Sequence, residues 1–399
     1  MIMANNNENK ILNVPNLRFP EFCGEWETIK VSELLDFYST NSLSWEQLDY
    51  SNGKIKNLHY GLIHKGVPTM VDVACDSLPY IKEESMLKSF TLFKEGDVAF
   101  ADASEDTNDV AKAIEVVNCD NQQIVSGLHT IHGRDNSNRT VIGYKGYAFA
   151  SDSFHKQIRR IAQGTKVFSI SVRNFDEAYI GIPSKEEQTQ IAKLLITIDK
   201  RIATQNKIIE DLKKLKSAIT DLLFHSIADA HTIRLGEIAH ITNGAGDVQD
   251  ANTEHQEDWY PFFDRSEELK WFPTYSFDKE AVIYAGEGQS FYPRYYNGKF
   301  ALHQRCYAIT DFASCIIPKY CYHFMNTLNS YFVRNSVGST VPSLRMDIFQ
   351  KVEIRLPPIP KQQHICKIID AFYTKLEVEQ RGISILQELK QFLLSQMFI

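Results

Sequence analysis

Residues 164–195 read "GTKVFSISVRNFDEAYIGIPSKEEQTQIAKLL", and residues 338–369 read "GSTVPSLRMDIFQKVEIRLPPIPKQQHICKII". Continued to residues 224 and 398, the two stretches align without a gap and are identical at 14 of 61 positions. Each copy begins with a glycine, continues into a short strand that stops at proline, and passes into a long helix. A repeat this long predicts two tandem copies of one domain rather than a solenoid of short units.

The front of each copy is repeated as well. The motif "IKVSELLDF" at residues 29–37 resembles "IRLGEIAHI" at residues 233–241, and Leu128-His129 is repeated by Leu302-His303. The middles differ in sequence, but "GDVAFAD", "TVIGYKGYAFAS", "AVIYAG" and "KFALHQRCYAIT" are rich in β-branched and aromatic residues, which predicts strands. We therefore predict an α+β fold class with two tandem, mixed, β-rich globular domains.

A long helix follows each domain, and its apolar residues recur in steps of three and four. The first stripe is Ile191, Leu195, Ile198, Ile202, Ile209 and Leu212, continued by Leu215, Ile219 and Leu222. The second is Ile365, Ile369, Phe372, Leu376, Ile383 and Leu386, continued by Leu389 and Leu393. Both stripes miss one step, at Gln205 and Glu379. This spacing favours an antiparallel coiled coil with pseudo-twofold symmetry over two separate core helices.

Local signals mark where the helices begin. Ser184 and Glu187 have the spacing of a capping box, which predicts that the Glu187 carboxylate accepts from the Ser184 amide. Pro360 is expected to be the first residue of the second helix. The motifs divide the chain into a polar tail (residues 1–17), a first domain (18–183), a first helical spacer (184–228), a second domain (229–358) and a second helical spacer (359–399).

Length and composition narrow the class of protein. A chain of 399 residues with 43% hydrophobic and 23% charged residues is typical of two or three globular domains. The polar start lacks the apolar core of a signal peptide, and no apolar run approaches the length of a membrane span. Seven cysteines without paired spacing indicate reduced thiols. We therefore expect a cytoplasmic location.

The charge distribution points to a polyanionic partner, although the net charge is −7. Residues 153–175 contain no Asp or Glu, and residues 289–346 contain Asp311 alone. Each of these basic segments precedes or enters one copy of the repeat, and local clusters of cations are what attract phosphates. The candidate DNA-binding residues are Lys156, Arg159, Arg160, Thr165, Lys166, Arg294, Lys299, Arg305, Ser339, Thr340 and Arg345.

Several motifs together resemble the specificity subunit of type I restriction–modification systems. They are "VPNLRFPEFCGEWETIKVSEL", the loops "GTKVFSIS" and "GSTVPSLR", the junctions "IGIPSKEEQTQIAKLL" and "IRLPPIPKQQHICKII", and "GEGQSFYPRYYNGKFALHQ". The resemblance covers nearly the whole chain after the polar tail. This chain departs from the family pattern in two places. Lys361 stands where the family more usually has an acid, and the variable middle of the first domain is acidic at "ADASEDTNDVAK".

The resemblance implies a function. Members of this family carry two target-recognition domains, each binding one half of a split, asymmetric sequence in double-stranded DNA. Their helices form an antiparallel coiled coil that docks two methyltransferase (modification) subunits and, in turn, restriction subunits with endonuclease and translocase activity. The resemblance places S-adenosylmethionine, ATP and Mg on those partner subunits, and it implies that the specificity subunit binds no cofactor and is not itself catalytic.

The residues show no motif for catalysis. There is no Asn/Asp-Pro-Pro-Tyr/Phe methyltransferase signature and no G-x-x-x-x-G-K-S/T phosphate loop. His303, Cys306, Cys315, Cys321 and His323 lack a C-x-x-C pair, so we predict core packing for "CYHF", in an aromatic strand, and no metal site. His129 and His303 are expected to be structural or to contact phosphates.

Two other functions remain open at this point. The first is a scaffold in which two similar domains on a coiled-coil rod bind proteins rather than DNA. The second is a self-contained methyltransferase or nuclease with a site that no motif reveals. A salt-dependent affinity for duplex DNA is expected of the specificity subunit and not of the scaffold.

Overall fold

A computed structural model describes residues 2–3, 13–87, 90–225, 230–338 and 340–399. The chain divides into two compact units. The first unit comprises Met1–Asn206 and Gly382–Ile399, and the second comprises Lys207–Arg381. The boundaries cut both long helices, so each helix contributes residues to both units.

The first unit contains short strands and helices followed by one long helix. The strands are β1 (Ile2–Met3), β2 (Leu17–Arg18), β3 (Glu27–Lys30), β4 (Asp36–Tyr38), β5 (Leu48–Asp49), β6 (Ile55–Leu58), β7 (Met70–Asp72), β8 (Tyr80–Ile81), β9 (Val98–Ala101), β10 (Ala103–Ser104), β11 (Ala113–Asn118), β12 (Gln123–Ser126), β13 (Thr130–Arg134), β14 (Phe168–Ser169) and β15 (Tyr179–Ile182). The helices are α1 (Val31–Leu34), α2 (Tyr60–Lys65), α3 (Lys145–Phe149), α4 (Asp152–Ile161) and α5 (Lys185–His225), with 3₁₀ turns at Trp45–Gln47, Glu84–Met86 and Val172–Glu177.

The second unit follows the same plan. Its strands are β16 (His231–Arg234), β17 (His240–Asn243), β18 (Tyr260–Phe263), β19 (Lys270–Phe272), β20 (Phe277–Ala285), β21 (Arg294–Leu302), β22 (Cys306–Thr310) and β23 (Glu353–Leu356). Its helices are α6 (Leu235–Ile238), α7 (Pro318–Met325), α8 (Asn329–Asn335), α9 (Met346–Gln350) and α10 (Ile359–Gln396), with a 3₁₀ turn at Val248–Asp250.

A five-stranded mixed sheet has the same topology in both units. Its order is β4-β13-β9-β11-β7 in the first unit and β17-β22-β20-β21-β18 in the second, which adds β19 at the edge. The first three pairings are antiparallel in both, and the pairing of the last two strands is parallel in both. The first unit adds a four-stranded sheet, β12-β6-β8-β5. The two variable middles therefore share one fold.

The central strand of each sheet is buried on both faces. Val98 and Phe100 of β9 face one apolar core and Ala99 and Ala101 face another. In β20, Val282 and Tyr284 face one core, and Ala281 and Ile283 face another. Alternate residues of a strand point to opposite faces, so apolar residues at successive positions are what a strand covered on both sides requires.

The short end motifs close each domain. The predicted final strands form and pair with the strand that leads into each front motif, β15 with β3 and β23 with β16. α1 and α6 follow the first strands directly. The predicted α+β class with two β-rich domains and two long helices is confirmed.

A buried glutamine fixes each junction between final strand and long helix. Gln188 Oε1 accepts from Val141 N (2.8 Å), and its Nε2 donates to the carbonyls of Arg139 (3.1 Å) and Pro183 (2.9 Å). In the second unit, Gln362 Oε1 accepts from Ile317 N (2.8 Å), and its Nε2 donates to two more carbonyls, those of Cys315 (2.8 Å) and Pro357 (2.9 Å). Both glutamines are completely buried.

The two long helices pack against each other within each unit. In the first, Asp199 of α5 pairs with Lys390 of α10 (2.6 Å), and Gln205 lies beside Gly382. Because the residue numbers of the paired positions rise along α5 and fall along α10, the helices are antiparallel there. In the second unit, Lys216 of α5 lies over the ring of Tyr373 of α10, at 4.1 Å from its centre. Positions 199 and 373, and 390 and 216, are equivalent in the two copies.

Most, but not all, of the residues in the predicted stripes are packed in the structure. Ile191, Leu195, Ile198, Ile209, Ile365, Ile369 and Leu376 are buried, and Ile202, Leu212, Phe372, Ile383 and Leu386 are half-buried. The prediction is wrong for Leu215, Leu222 and Leu389, which are 49%, 63% and 43% exposed. Burial resumes further along both helices, at Phe224 and at Leu393.

Three local predictions are wrong. "TVIGYKGYAFAS" contains the short helix α3, and "CYHF" belongs to the helix α7. Aromatic residues on a helix buried on several sides resemble a strand in composition. Ser184 Oγ does accept from Glu187 N (3.3 Å), but the Glu187 carboxylate turns to Arg18, with two contacts of 2.7 Å. This buried pair replaces the second half of the capping box.

Candidate functional site

Each unit has an open cavity beside its five-stranded sheet. The first cleft, of about 460 Å³, is lined by Tyr60, His64, Lys65, Ala103, Ser104, Glu105, Asp106, Asp109, His129 and Val167. The second cleft, of about 530 Å³, is lined by Asp247, Val248, Asp264, Arg265, Ser266, Lys270, Glu287, His303, Gln304, Arg305 and Cys306.

Helix α2 presents aromatic and imidazole rings to the first cleft. His59 caps this helix, because its Nδ1 accepts from Gly61 N (3.1 Å). Burial lowers the pKa of His59, and the nearby His129 lowers it further, so this cap stays neutral and able to accept. The Tyr60 ring meets His129 edge to face, with ring centres 5.3 Å apart, and His64 Nε2 lies 3.0 Å from the carbonyl of Ala103. The Tyr60 ring is therefore nearly perpendicular to the rings of both His64 and His129.

His129 lines the first cleft and is held there by its backbone and by a carboxylate. Its φ of +53° is in the left-handed region, which non-glycine residues rarely adopt. Its Nδ1 lies 3.1 Å from Asp102 Oδ1, and half of the side chain stays exposed. Burial raises the pKa of Asp102, although the neighbouring His129 acts in the opposite direction. A rare backbone conformation at an exposed ring is typical of functional positions.

The second cleft is lined by ion pairs and by free donors. The exposed Arg305 pairs with Glu287 (2.9 Å), and the half-buried Lys270 pairs with Asp264 (2.6 Å). Burial alone would raise the pKa of Asp264, but hydrogen bonds from Lys270 and Ser266 outweigh it and hold the pKa below its ordinary value. The side chains of Arg265 and Gln304 are exposed. Arg and Gln are the side chains best suited to bidentate contacts with guanine and adenine.

A closed loop borders each cleft at the same position of the repeat. In the first loop (residues 163–169), the backbones of Gln163 and Ser169 exchange hydrogen bonds of 3.0 and 2.8 Å. In the second loop (residues 337–343), Val337 and Ser343 do the same at 2.9 and 2.8 Å. His129 and His303 also occupy equivalent positions and line the two clefts. The two clefts therefore share a frame and differ in lining.

The candidate DNA-binding residues of the first unit lie on α4 and the loop after it. Lys156, Arg159 and Arg160 are exposed on α4, and Thr165 and Lys166 are exposed in the first loop. Arg159 donates to Asn108 Oδ1 at 3.0 Å. Val167, next to Lys166, is the residue through which this segment reaches the first cleft.

In the second unit, Arg305 is the candidate that lines the cleft. Arg294 is half-buried, donates to the carbonyl of Ser266 and lies over the Phe263 ring, so its guanidinium serves the domain interior. Lys299 is exposed over the Tyr275 ring, at 4.7 Å. Arg345 and Thr340 are exposed, and Ser339 lies outside the described residues.

Sequence patterns missed several residues of the clefts. These are Tyr60, His64 and Lys65 in the first cleft, and Arg265, Lys270 and Gln304 in the second. Arg265 and Lys270 stand among acidic residues in the sequence, and the search for acid-free segments excludes them. The repetition of His129 as His303 was a sequence signal that pointed to both clefts.

The residues that the structure describes offer little evidence of a catalytic centre or of a membrane-spanning helix. Within them no group of three His, Cys, Asp or Glu side chains is placed to bind a metal ion. Cys321 and His323 are buried in α7, and burial raises the pKa of Cys321 and lowers that of His323. No helix in this part of the chain combines the length and apolar character that crossing a membrane requires.

Known proteins share this architecture. The family described as "Type I restriction modification DNA specificity domain" matches residues 24–214 and 228–391. A type I restriction enzyme EcoDI specificity subunit of Escherichia coli is 31% identical over 165 residues, which are 41% of this chain and 36% of that protein. The match thus spans about a third of that relative's length.

Two solved structures show the same fold. The type I restriction–modification S subunit from M. genitalium has a TM-score of 0.61 and 16% identity, covering 97% of this chain and 99% of that one. A chain from a structural study of complex assembly and conformational transition in the type I R-M system has a TM-score of 0.59 and 14% identity, covering 92% and 96%. Since the family model matches both copies of the repeat, this chain belongs to the type I restriction–modification DNA specificity family.

Proposed function

We propose that this chain is the DNA-recognition subunit of a type I restriction–modification complex in the cytoplasm. Each unit binds one half of a bipartite, asymmetric site, and the helices dock methyltransferase and restriction subunits. Chemistry belongs to those partners, which bind S-adenosylmethionine, ATP and Mg. The chain itself has no catalytic role.

One observation carries this proposal: two clefts with one frame have different linings. The five-stranded sheets and closed loops are equivalent, and acids line both clefts, yet Tyr60 and His64 line the first, while Arg265, Gln304 and Arg305 line the second. A shared frame positions two binding surfaces on the same kind of ligand. Different side chains then distinguish two different base sequences, because base identity is read by hydrogen bonds to base edges.

The exposed part of the helical stripes supports docking. Leu215 and Leu389 are identical, equivalent in the repeat, and 49% and 43% exposed. Their neighbours Lys216 and Lys390 are also identical and contact the opposite helix within their own units. Two equivalent apolar positions suit two copies of one partner subunit.

The test measures DNA binding and methylation by the chain assembled with its methyltransferase subunits. Mapping methylated adenines in the host genome identifies the site, and a duplex containing it is the probe. We expect affinity that falls steeply with salt, and two specified half-sites separated by an unspecified spacer. A complex that shows no preference for any duplex would favour the protein scaffold, and methyl transfer by the isolated chain would contradict the non-catalytic role.

Arg305 provides the sharpest single variant. We expect Arg305→Ala to weaken binding of the cognate duplex roughly tenfold, through the second half-site only. Lys351→Ala is the matched control, because Lys351 is 68% exposed, compared with 66% for Arg305, and is paired with Asp347, but does not line the cleft. Equal affinities for both variants would remove Arg305 from the binding surface.

A further inference from the structure

The two copies of the repeat allow retained side chains to be compared within one chain. Six positions are identical between residues 164–183 and 338–357: Gly164 and Gly338, Val167 and Val341, Ser169 and Ser343, Phe175 and Phe349, Ile180 and Ile354, and Pro183 and Pro357. The other positions in these segments have diverged. Each retained pair therefore calls for a physical reason.

Four of the pairs have a reason inside their own unit. Phe175, Phe349, Ile180 and Ile354 are buried, as are both prolines. The two serines close their loops through backbone hydrogen bonds, which other residues could also make, so the structure gives no reason for the serine side chain. Gly164 and Gly338 have φ values of +134° and +103°, and a Cβ at Gly164 would lie 1.9 Å from the Val167 carbonyl oxygen. Packing and backbone geometry account for the phenylalanines, isoleucines, prolines and glycines.

The valines have no such reason. Val167 is 53% exposed and Val341 is 47% exposed. A single exposed apolar residue is ordinary, since much of any protein surface is apolar. The same residue, similarly exposed in two closed loops where the adjacent residues have diverged, is not explained by folding. It indicates contact with something that both units meet.

The first valine loop lines its cleft, and the second is joined to a segment that lines its cleft. Val167 lines the first cleft together with Tyr60 and His129. In the second unit, Gly288 N donates to the carbonyl of Pro342 (3.1 Å), and Glu287, which lines the second cleft, forms a β-bridge with Ser343. A ligand that occupies a cleft therefore has the valine loop beside it.

The proposed function, on which this inference rests, limits what the ligand common to both units can be. Half-sites read by different linings have different sequences. If each half-site is methylated on adenine, however, both contain an A·T pair. In the major groove, the apolar group that such a pair presents is the C5-methyl of thymine. A valine methyl is well suited to that contact.

We propose that Val167 and Val341 each pack against the C5-methyl of the thymine paired with the methylated adenine, one in each half-site. The valines are thus specificity-determining residues shared by two otherwise different recognition surfaces. Their role is to require A·T at the one base pair that both half-sites have in common.

The experiment removes the methyl group from either side of the contact. In the cognate duplex, deoxyuridine replaces the thymine opposite the target adenine of one half-site, and affinity for the assembled complex is measured. We expect this change to weaken binding about fourfold, as loss of one buried methyl group implies. Val167→Ala should weaken binding of the thymine-containing duplex to a similar extent. With this variant, deoxyuridine in the first half-site should cause no further loss of affinity.

The second unit is the internal control. Val341→Ala should abolish sensitivity to deoxyuridine in the second half-site and leave the first unchanged. An undiminished deoxyuridine effect in both variants, or no effect in the unmodified complex, would overturn the inference while leaving DNA recognition intact. Loss of methyltransferase subunits from either variant would overturn it in favour of a protein contact. A complex without cognate affinity would overturn the proposed function as well.

Discussion

Single buried polar residues hold the junctions of this protein together. Gln188 and Gln362 each use both ends of the side-chain amide, and neither is reachable by water. The sequence places glutamines at equivalent positions, but nothing in a sequence identifies the backbone groups they bind. The same limit explains Glu187, whose partner Arg18 is 169 residues away.

Replacing one of these glutamines should destabilise its unit. We expect Gln188→Leu to lower the free energy of unfolding of the first unit by about 3 kcal/mol, because buried backbone groups would lose their partner. Urea denaturation measures the change. Gln190→Leu is the control on the same helix, since Gln190 is exposed and should change stability by less than about 0.5 kcal/mol. Equal effects would show that the junction does not depend on the amide.

A second residue-scale prediction concerns pH. Burial lowers the pKa of His323 below its ordinary value of 6.5, and Lys319 and Lys216 add to this, while Asp370 acts against it. The unfolded chain therefore takes up the proton at higher pH than the folded chain, and stability is lost as pH falls through about 6.5. A glutamine at position 323 can still donate a hydrogen bond to Asp370, and its side chain does not titrate. Denaturation midpoints at about pH 7.5 and about pH 5.5 should differ less for His323→Gln; an unchanged difference would contradict the prediction.

Elements were predictable where their signals are local. The final strands ending at proline and the two long helices form as predicted, because alternation, capping residues and steps of three and four are short-range patterns. The helices α3 and α7 were predicted as strands, since their aromatic residues are buried by neighbours that the local sequence does not reveal. The outward-facing leucines Leu215 and Leu389 were missed for the same reason.

Those leucines give the element-scale prediction. We expect Leu215→Asp with Leu389→Asp to weaken recovery of methyltransferase subunits with this chain roughly tenfold, without lowering the unfolding midpoint. Ile385→Asp is the control: Ile385 is also exposed, and its equivalent in the first copy is already Asp211. Recovery unchanged in the double variant, or equally reduced in the control, would contradict docking through these positions.

At the scale of the whole molecule, the shared five-stranded sheet was beyond prediction. The two middles have no alignable sequence, and a common order of strands with common directions emerges only from the pairings. The clefts depend on that order, because Arg265 and Arg305, 40 residues apart, meet at one of them. Acid-free segments located Arg305 and not Arg265, since a cleft gathers side chains from separate strands and turns.

The spacer offers a whole-molecule prediction. Four residues inserted into each long helix, after Asn206 and after the equivalent Gln380, lengthen each by about 6 Å. We expect methylated sites whose unspecified spacer is longer by about two base pairs, with both half-sites unchanged. Four residues inserted after Asp120, in an exposed turn, are the control. Sequencing of methylated DNA measures the spacer length. An unchanged spacer would show that helix length does not set the distance between the half-sites.

The end of α10 also has a consequence for how the chain is made. Leu393, Leu394, Met397 and Phe398 belong to the apolar core of the first unit, together with strands translated far earlier. On the ribosome, those strands must wait with part of their apolar surface uncovered, whereas the second unit is complete once Arg381 has emerged. The usual N-to-C order of domain maturation is therefore reversed, and the nascent first unit is the stage at which chaperone protection matters most.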